Sequence, residues 1–364
     1  MKKKTIFYLI ACTVMLWLQS CKHNTSSDNN MAFDSVNFVE KFPRSITLQN
    51  KTEPKIDVIG IRNFAIYDSL LIFSTINDDA LWSLVSLNNY STLGNFLKKG
   101  QGPFEFIESP SVGSRATFSK QDSLFAYIYD SQKGNLLKMN IDESLRSKET
   151  KIYSVSQSLP SFLFNLVLID SVTFMGKEIN PTQTQQIRYL IHGKDKKPIQ
   201  MLSKLNNAKI EQGEDINILS TITKRNEKQN ILVEMPIGLN HLNLYTLDGK
   251  LRKSICIGKQ LDNIDDIQEK KRQNRLYTFA DLRIFEKYFG VLQINEEEET
   301  YQTARRKKPS ILLFDWVGNP LAELKLDHHI TSFDIDFQKG DLYTFDAHSD
   351  EFYKYNIKDF LTDI

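Results

Sequence analysis

The sequence predicts an all-β fold, a six-bladed propeller of four-stranded antiparallel blades, and two observations lead to it. From residue 42 onward, short runs of alternating Phe, Tyr, Ile, Leu and Val are separated by polar turns, with little helical periodicity. Within these runs two turn patterns recur six times, about 50 residues apart. Four strands in about 50 residues match one propeller blade, so residues 42–364 are predicted to hold six blades.

The first pattern is a polar turn between two apolar strands. It stands at Asp68-Ser69-Leu70, Asp122-Ser123-Leu124 and Asp170-Ser171-Val172, and weaker equivalents lie around Asn230, Lys287 and Asp341. Asp and Ser suit a hairpin because their side chains can bond to the nearby backbone. The second pattern is the next hairpin of each unit, most clearly Leu244 to Gly249. The even spacing favours a propeller over the alternative of two stacked sandwiches.

The two ends of the chain indicate how the ring could close. The last unit runs through "EFYKYNI" and leaves only "KDFLTDI" for a fourth strand. The segment "RSITLQN", Arg44 to Asn50, precedes the first unit and has strand character. We therefore predict that this N-terminal strand pairs into the last blade and closes it, so that no open edge remains.

The chain begins with the features of an export signal. Three lysines precede an apolar run, Ile6 to Leu18, that is shorter than the roughly 20 residues of a membrane span. The run ends in Leu18-Gln19-Ser20-Cys21, which resembles the lipobox of bacterial lipoproteins. This resemblance implies a lipoprotein signal peptide over residues 1–20 and a lipidated Cys21. The alternative is an ordinary signal peptide.

Lipidation would make this a protein of the cell envelope, anchored to a membrane through Cys21. The outer membrane is the expected location, with its periplasmic and surface leaflets both left open. Residues 21–41 are polar and poor in large apolar groups, and we expect them to be a flexible tether between the lipid and the propeller.

Composition and charge limit the classes of partner that the protein could bind. The formal net charge is +1 and is spread along the chain, without the clustered basic surface that nucleic acid requires. Of the three cysteines, Cys12 lies in the signal segment, and a lipidated Cys21 would leave Cys256 without a disulfide partner. We expect a monomer with a packed core, no cofactor and no metal site.

The stretch "LKKGQGPFEF" has the pattern Gly-x-Gly-Pro-x-Glu-Phe, at Gly100, Gly102, Pro103, Glu105 and Phe106. Such a loop is typical of the six-bladed β-propeller lipoproteins of Bacteroidota, a TolB-like and NHL-like group, and with the lipobox and the six units the mature chain resembles that group. The resemblance implies the fold and the envelope location and carries no established activity. Asp34-Ser35-Val36 also resembles the O-glycosylation sequon of these bacteria, with Ser35 as the candidate acceptor.

The "LKKGQGPFEF" stretch lies between the first and second units, where blade-to-blade loops surround the channel mouth. A phosphate-binding loop is disfavoured, because the lysine–hydroxyl pair and the following helix are missing. We expect a structural corner in which Gly100 and Gly102 permit positive φ. Glu105 would accept loop N–H groups, and Phe104 or Phe106 would fill a space between blades. Direct ligand contact is the alternative.

Two further stretches of the same face are candidates for binding or catalysis. Between the fourth and fifth units, a long polar insert, Asp262 to Arg275, is expected to include a short helix and to cover the channel mouth or contact a partner. "LDHHITSF" places Asp327 beside two histidines, a combination that can bind a metal or act as a base. Neighbours in an extended strand point to opposite sides, which argues against a shared site. The candidate ligand- or partner-binding residues are Lys98, Lys99, Gln101, Glu105, Asp262, Asp265, Asp266, His328 and His329.

An acidic run, Glu296 to Glu299, and a basic run, Arg305 to Lys308, flank a hairpin of the fifth unit. Attraction between the two limbs explains them, with a docking site as the alternative.

Together these features favour a non-catalytic binding or scaffold lipoprotein whose loop-rich face holds a protein, peptide or glycan partner. The alternative is a propeller enzyme, a carbohydrate lyase or hydrolase, with His328 or His329 as the catalytic residue. No nucleophile elbow or dinucleotide-binding motif is present, which favours binding. Propellers host both classes, so the fold alone does not decide.

Overall fold

The computed structural model describes residues 29–120, 122–156, 159, 163–178, 182, 184–193 and 195–362. The predicted signal peptide, residues 1–20, and Cys21 lie outside these residues. The described strands are β1 (Val36–Val39), β2 (Ser45–Thr47), β3 (Ile61–Tyr67), β4 (Leu70–Thr75), β5 (Trp82–Ser86), β6 (Thr92–Phe96), β7 (Ala116–Lys120), β8 (Leu124–Asp130), β9 (Asn135–Asn140), β10 (Ile152–Ser156), β11 (Leu163–Leu168), β12 (Thr173–Glu178), β13 (Ile187–His192), β14 (Asp195–Pro198), β15 (Thr221–Asn226), β16 (Ile231–Pro236), β17 (His241–Tyr245), β18 (Arg252–Ile257), β19 (Leu276–Ile284), β20 (Tyr288–Glu297), β21 (Ser310–Asp315), β22 (Pro320–Lys325), β23 (Ser332–Asp336), β24 (Asp341–Asp346) and β25 (Glu351–Asn356).

Helices are short and lie in the connections. They are α1 (Ile141–Ser147), α2 (Ser203–Asn206), α3 (Ile264–Gln268), α4 (Glu298–Thr303) and α5 (Lys358–Thr362), with 3₁₀ turns at Gln200–Leu202, Ile216–Leu219 and Arg272–Asn274. Among the described residues, no helix is long and apolar enough to cross a membrane.

The strands form six sheets, which confirms the predicted six-bladed propeller. Blades 1 to 5 are β3–β6, β7–β10, β11–β14, β15–β18 and β19–β22, each with four antiparallel strands, and blade 6 is β23–β25. The first strand of every blade lines the central channel.

The recurring turns lie at or beside the hairpin that joins the first two strands of each blade. Asp68 and Asn230 adopt φ angles of 51° and 55°, which Asp and Asn tolerate better than most residues. The Asp170 carboxylate accepts hydrogen bonds from the backbone N–H groups of Val172 and Thr173, at 2.9 and 2.8 Å. This local bonding is the reason that Asp recurs in the sequence pattern.

Because consecutive strands of a blade run in opposite directions, successive connections lie at opposite ends of the blade. The hairpins between first and second strands form what we call the hairpin face. The blade-to-blade connections, which include residues 97–115, 199–220, 258–275 and 326–331, form the opposite loop face, together with the turns between the second and third strands of each blade.

The core is a ring of six apolar clusters, each between two neighbouring blades. Between the first and last blades, Phe64 and Phe73 pack against Tyr343, Phe345 and Phe352. The rings of Phe64 and Phe352 meet edge to face, with centroids 5.0 Å apart. Burial of each such side chain contributes about 1.5–3 kcal/mol, so aromatic packing joins the two ends of the ring.

The prediction that Arg44 to Asn50 closes the last blade is wrong. Strand β2 pairs in parallel with β22, the outer strand of blade 5. Among the described residues, only Thr52 bridges blade 6, opposite Lys354, and the chain ends in α5 rather than a fourth strand. The physical reason is that Ile46 and Leu48 pack into the apolar cluster between blades 5 and 6. This packing holds β2 against blade 5 instead of blade 6.

The prediction of a flexible tether is wrong for its described part, residues 29–41. Strand β1 pairs in parallel with β18, and Met31 and Phe33 are buried beside blade 4. The Met31 carbonyl is hydrogen-bonded to His241 Nε2 and Asn243 Nδ2, both at 3.0 Å. Residues 29–52 thus run along the outer strands of blades 4 and 5 to blade 6, and we call them the N-terminal belt.

Candidate functional site on the loop face

The "LKKGQGPFEF" loop is a corner held by its own glutamate. Glu105 Oε2 accepts a hydrogen bond from the Gly102 N–H at 2.9 Å, and Phe106 is buried between blades 1 and 2, whereas Phe104 is exposed. The expected positive φ at Gly100 and Gly102 is wrong, since neither adopts it. A Cβ on Gly100 would lie 2.0 Å from Glu105 Oε2. Any larger residue at position 100 would therefore displace the Glu105 carboxylate.

Lys133 of blade 2 fixes this corner to the next blade. Its Nζ donates to the carbonyls of Gly102 and Glu105, at 2.7 and 2.6 Å. Lys99 pairs with Asp78 at 3.0 Å, and both side chains are well exposed. The polar groups at the centre of the corner thus hold two blades together. Of the other predicted contact residues of this loop, Lys98 and Gln101 are exposed.

The aspartates of the insert between β18 and β19 have different environments. Asp262 accepts a hydrogen bond from the Asn240 N–H at 2.9 Å, and burial raises its pKa. Asp265 accepts one from Asn29 Nδ2 at 2.8 Å, and Asp266 is exposed. Two of the three predicted aspartates therefore hold the insert and the start of the belt in position.

His328 and His329 face different surroundings. His328 is buried, and its Nδ1 lies 2.9 Å from both Asp327 Oδ1 and the Tyr355 hydroxyl. Burial lowers the pKa of His328. Burial and the nearby Lys308 lower the pKa of His329, which shares none of these hydrogen-bond partners. The structure therefore does not bring the two rings together around one ligand.

Two insertions into the blade pattern meet on the loop face and enclose a cavity of about 470 Å³. One is the β18–β19 insert, which contributes Ile267, Arg272 and Arg275 to the lining. The other is helix α4, between β20 and β21 of blade 5, where the acidic and basic runs lie in the sequence. This cavity is the candidate functional site.

An aromatic wall forms one side of this loop-face cavity. The rings of Tyr277 and Tyr301 lie 4.8 Å apart, and His348 meets Tyr301 edge to face at 5.8 Å. Burial raises the pKa of both tyrosines, so each remains a protonated phenol. Arg305 lies over the Tyr301 ring and is held there by two hydrogen bonds to the Asp346 carboxylate, at 2.6 and 2.9 Å.

The charged groups around the cavity are matched with one another. Arg272 pairs with Glu298 at 3.1 Å. Arg275 pairs with Glu214 at 3.3 Å and with Asp215 at 3.6 Å. Because each guanidinium already has a carboxylate partner, the cavity does not require a charged ligand to balance it.

Sequence reasoning identified the insert but missed the residues in it that line the cavity. Asp262, Asp265 and Asp266 are not among the lining residues, whereas Arg272 and Arg275 are. The sequence feature that could have indicated the cavity was the presence of two irregular segments close together in the chain. These are the long insert before blade 5 and the charged runs within blade 5. The aromatic wall gave no signal, because Tyr277 lies on a strand of blade 5, Tyr301 on a helix of the same blade and His348 in a turn of blade 6.

A family model and one solved structure agree with this architecture. A family model described as TolB-like 6-blade propeller-like matches residues 62–338. The crystal structure of a member of the DUF4221 family from Bacteroides vulgatus is similar, with a TM-score of 0.54 at 12% identity over 85% of this chain and 96% of that chain. Kuenenia stuttgartiensis hydrazine synthase gives a TM-score of 0.45 at 10% identity over 86% of this chain and 81% of that chain. A search of curated proteins finds no match.

Proposed function

Since the chain belongs to the TolB-like six-bladed propeller family, whose fold can host binding modules and enzymes alike, we propose that it is a non-catalytic binding propeller that holds a partner in the loop-face cavity. The observation that carries the proposal is the meeting of both insertions at that one cavity. Loops that depart from a regular scaffold are where binding residues concentrate.

The chemistry of the cavity suits an uncharged polar partner, a glycan or a peptide segment. Its ion pairs are internally matched, as at Arg272 and Glu298. Tyr277 and Tyr301 offer large rings at a small cost in side-chain entropy, and Gln302 adds an amide at the exposed rim. A volume of about 470 Å³ lies within the range of small-ligand sites.

The proposal includes a lipid anchor at Cys21 and an envelope location. Asn29 bonds to Lys209 and Asp265, both on loop-face connections. Seven residues separate Cys21 from Asn29, and they reach at most about 30 Å when extended. An anchored propeller would therefore hold its loop face near the membrane, and its partner would be an envelope component within that reach.

Recovery of the partner by matched variants tests the binding site. The bait is the lipidated protein in detergent-solubilised envelope, compared with Arg272→Ala/Gln302→Ala and with Val172→Ala, which changes an exposed residue of the hairpin face. We expect the wild type and Val172→Ala to retain the same glycan or peptide-bearing component, and the double variant to lose it. Equal recovery by all three proteins would remove the cavity from the proposal.

Two further measurements address the anchor and the enzyme alternative. A palmitate analogue should label the wild type and leave Cys21→Ser unlabelled, and equal labelling would refute the anchor. Turnover of a carbohydrate by the purified protein, abolished by His328→Ala or His329→Ala, would replace the binding proposal with the enzyme.

A further inference from the structure

The central channel contains a second cavity, of about 350 Å³, lined by the first strands of all six blades. Its exposed lining residues, Glu227, Lys228 and Glu286, belong to the hairpin face. Val112 to Ser114, which lie in a loop-face connection, line the other end. The channel cavity therefore opens on the hairpin face, opposite the loop-face cavity.

A lysine with unused donors lies at the inner end of this channel cavity. Lys224 Nζ, on β15, donates to the carbonyl of Gly113 at 2.5 Å. An ammonium group has three N–H donors. Among the described residues Lys224 has no second acceptor and no paired carboxylate, so two donor positions remain for a ligand.

The neighbouring carboxylates are engaged elsewhere. Arg283 Nε binds Asp281 Oδ2 at 2.8 Å, and Arg283 Nη1 lies 3.5 Å from Asp334 Oδ2. Asp334 also accepts a hydrogen bond from the Ile66 N–H at 2.8 Å. Burial and the charge of Arg283 lower the pKa of Lys224 to about 8, against the opposing effect of Asp281 and Asp334. Lys224 is thus a partly buried cation without a counter-ion in contact.

Aromatic and aliphatic side chains form part of the wall between Lys224 and the channel mouth. Tyr67 and Phe118 form a tilted pair with ring centroids 5.8 Å apart, and Phe285 and Leu168 line other sides. The cation at the inner end of the cavity and the aromatic side chains nearer the mouth are complementary to a molecule with an anionic head and an apolar body.

We propose that the channel cavity binds a small organic carboxylate, whose carboxylate group bonds to Lys224 and whose apolar body lies between Tyr67, Phe118 and Phe285. The carboxylate supplies both the missing acceptors and the missing counter-charge, as charge-assisted hydrogen bonds do. The cavity volume is at the lower end of the range for small-molecule sites. This site is independent of the partner proposed for the loop face.

Calorimetric titration with 4-phenylbutyrate and its neutral analogue 4-phenylbutanamide tests the proposal on the full chain. The variants are Lys224→Met, Lys224→Arg and the control Lys250→Met, which changes an exposed lysine of the same blade. We expect the wild type and the control to bind the acid at least about tenfold more tightly than the amide. Lys224→Met should lose at least about tenfold for the acid while its amide affinity stays within about twofold, and Lys224→Arg should recover part of the loss.

A pH series keeps the test valid if Lys224→Met fails to fold. Wild-type affinity for the acid should fall above about pH 8, where Lys224 loses its proton, and affinity for the amide should not. The proposal is overturned if the wild type does not bind the acid, if acid and amide bind equally, or if folded Lys224→Met binds the acid as tightly as the wild type.

Discussion

The corner at Gly100 permits a direct test of why glycine stands in the "LKKGQGPFEF" loop. In Gly100→Ala the new Cβ would lie 2.0 Å from Glu105 Oε2 and 2.7 Å from the carboxylate carbon. The carboxylate is the end of a flexible side chain, so we expect it to move away rather than the backbone to break. The Gly102 N–H then loses its charged acceptor.

The magnitude follows from that one hydrogen bond. A hydrogen bond to a charged group contributes about 1.5–3 kcal/mol. Because φ at Gly100 is not positive, alanine also gains about 0.5 kcal/mol through a less flexible unfolded chain. The net loss in the free energy of unfolding should therefore be about 1–2.5 kcal/mol.

Urea unfolding followed by fluorescence provides the assay, because buried Trp82 belongs to the same apolar cluster as Phe106. The control is Gly238→Ala, where the nearest atom to a new Cβ is 3.5 Å away and the free energy should change by less than about 0.5 kcal/mol. In a Glu105→Ala background, Gly100→Ala should also cost less than about 0.5 kcal/mol. An equal cost with and without the Glu105 carboxylate would refute the close-approach explanation.

Three further predictions concern buried groups. Glu234→Gln leaves the fully buried Arg188 without its counter-ion, so the free energy of unfolding in urea should fall by about 3–5 kcal/mol. The control Asp248→Asn, at an exposed ion pair, should lose much less, and similar losses in both variants would contradict this prediction. Burial lowers the pKa of His241 to about 4, whereas its pKa in the unfolded chain is about 6.5, so the unfolded chain binds the proton first as the pH falls. The contribution of neutral His241 to stability is therefore fully present above pH 6.5, and the free energy of unfolding falls by roughly 3 kcal/mol as the pH drops to 4. In His241→Gln the free energy of unfolding should depend less on pH between 6.5 and 4, and an unchanged dependence would argue against His241 as its source. Burial raises the pKa of the Cys256 thiol to about 11, so alkylation mapped by mass spectrometry should modify it in concentrated urea and not in the native protein; native modification would disprove its protection.

The blades were predictable because their signals are local. A hairpin needs residues whose side chains bond to the adjacent backbone, and Asp170 does so within three positions of the chain. The belt was not predictable in the same way. Asn37 pairs opposite Ile255, and the N–H of Phe33 donates to Ser254 Oγ, so these contacts depend on a surface that exists only after blade 4 has formed.

The two cavities were difficult to predict for a related reason. Lys224 stands in "TITKRN", an ordinary alternating strand, and no local feature marks it as the side chain in the channel without a counter-ion. Tyr277 and Tyr301 become neighbours only because α4 folds back over β19. Sequence patterns located the irregular segments, but the convergence of their side chains is a tertiary property.

The belt also fixes the order in which the protein can be completed. Val36 pairs with Ser254, more than two hundred residues later, and Thr52 pairs with Lys354 near the end of the chain. In a chain that emerges N-terminus first, β1 cannot pair until residue 257 has followed and β2 cannot pair until residue 325 has followed, and contacts so distant in sequence form slowly. Blades 4 and 5 therefore gain their outermost strands only after their own four strands have been made, from a segment that precedes blade 1 in the sequence.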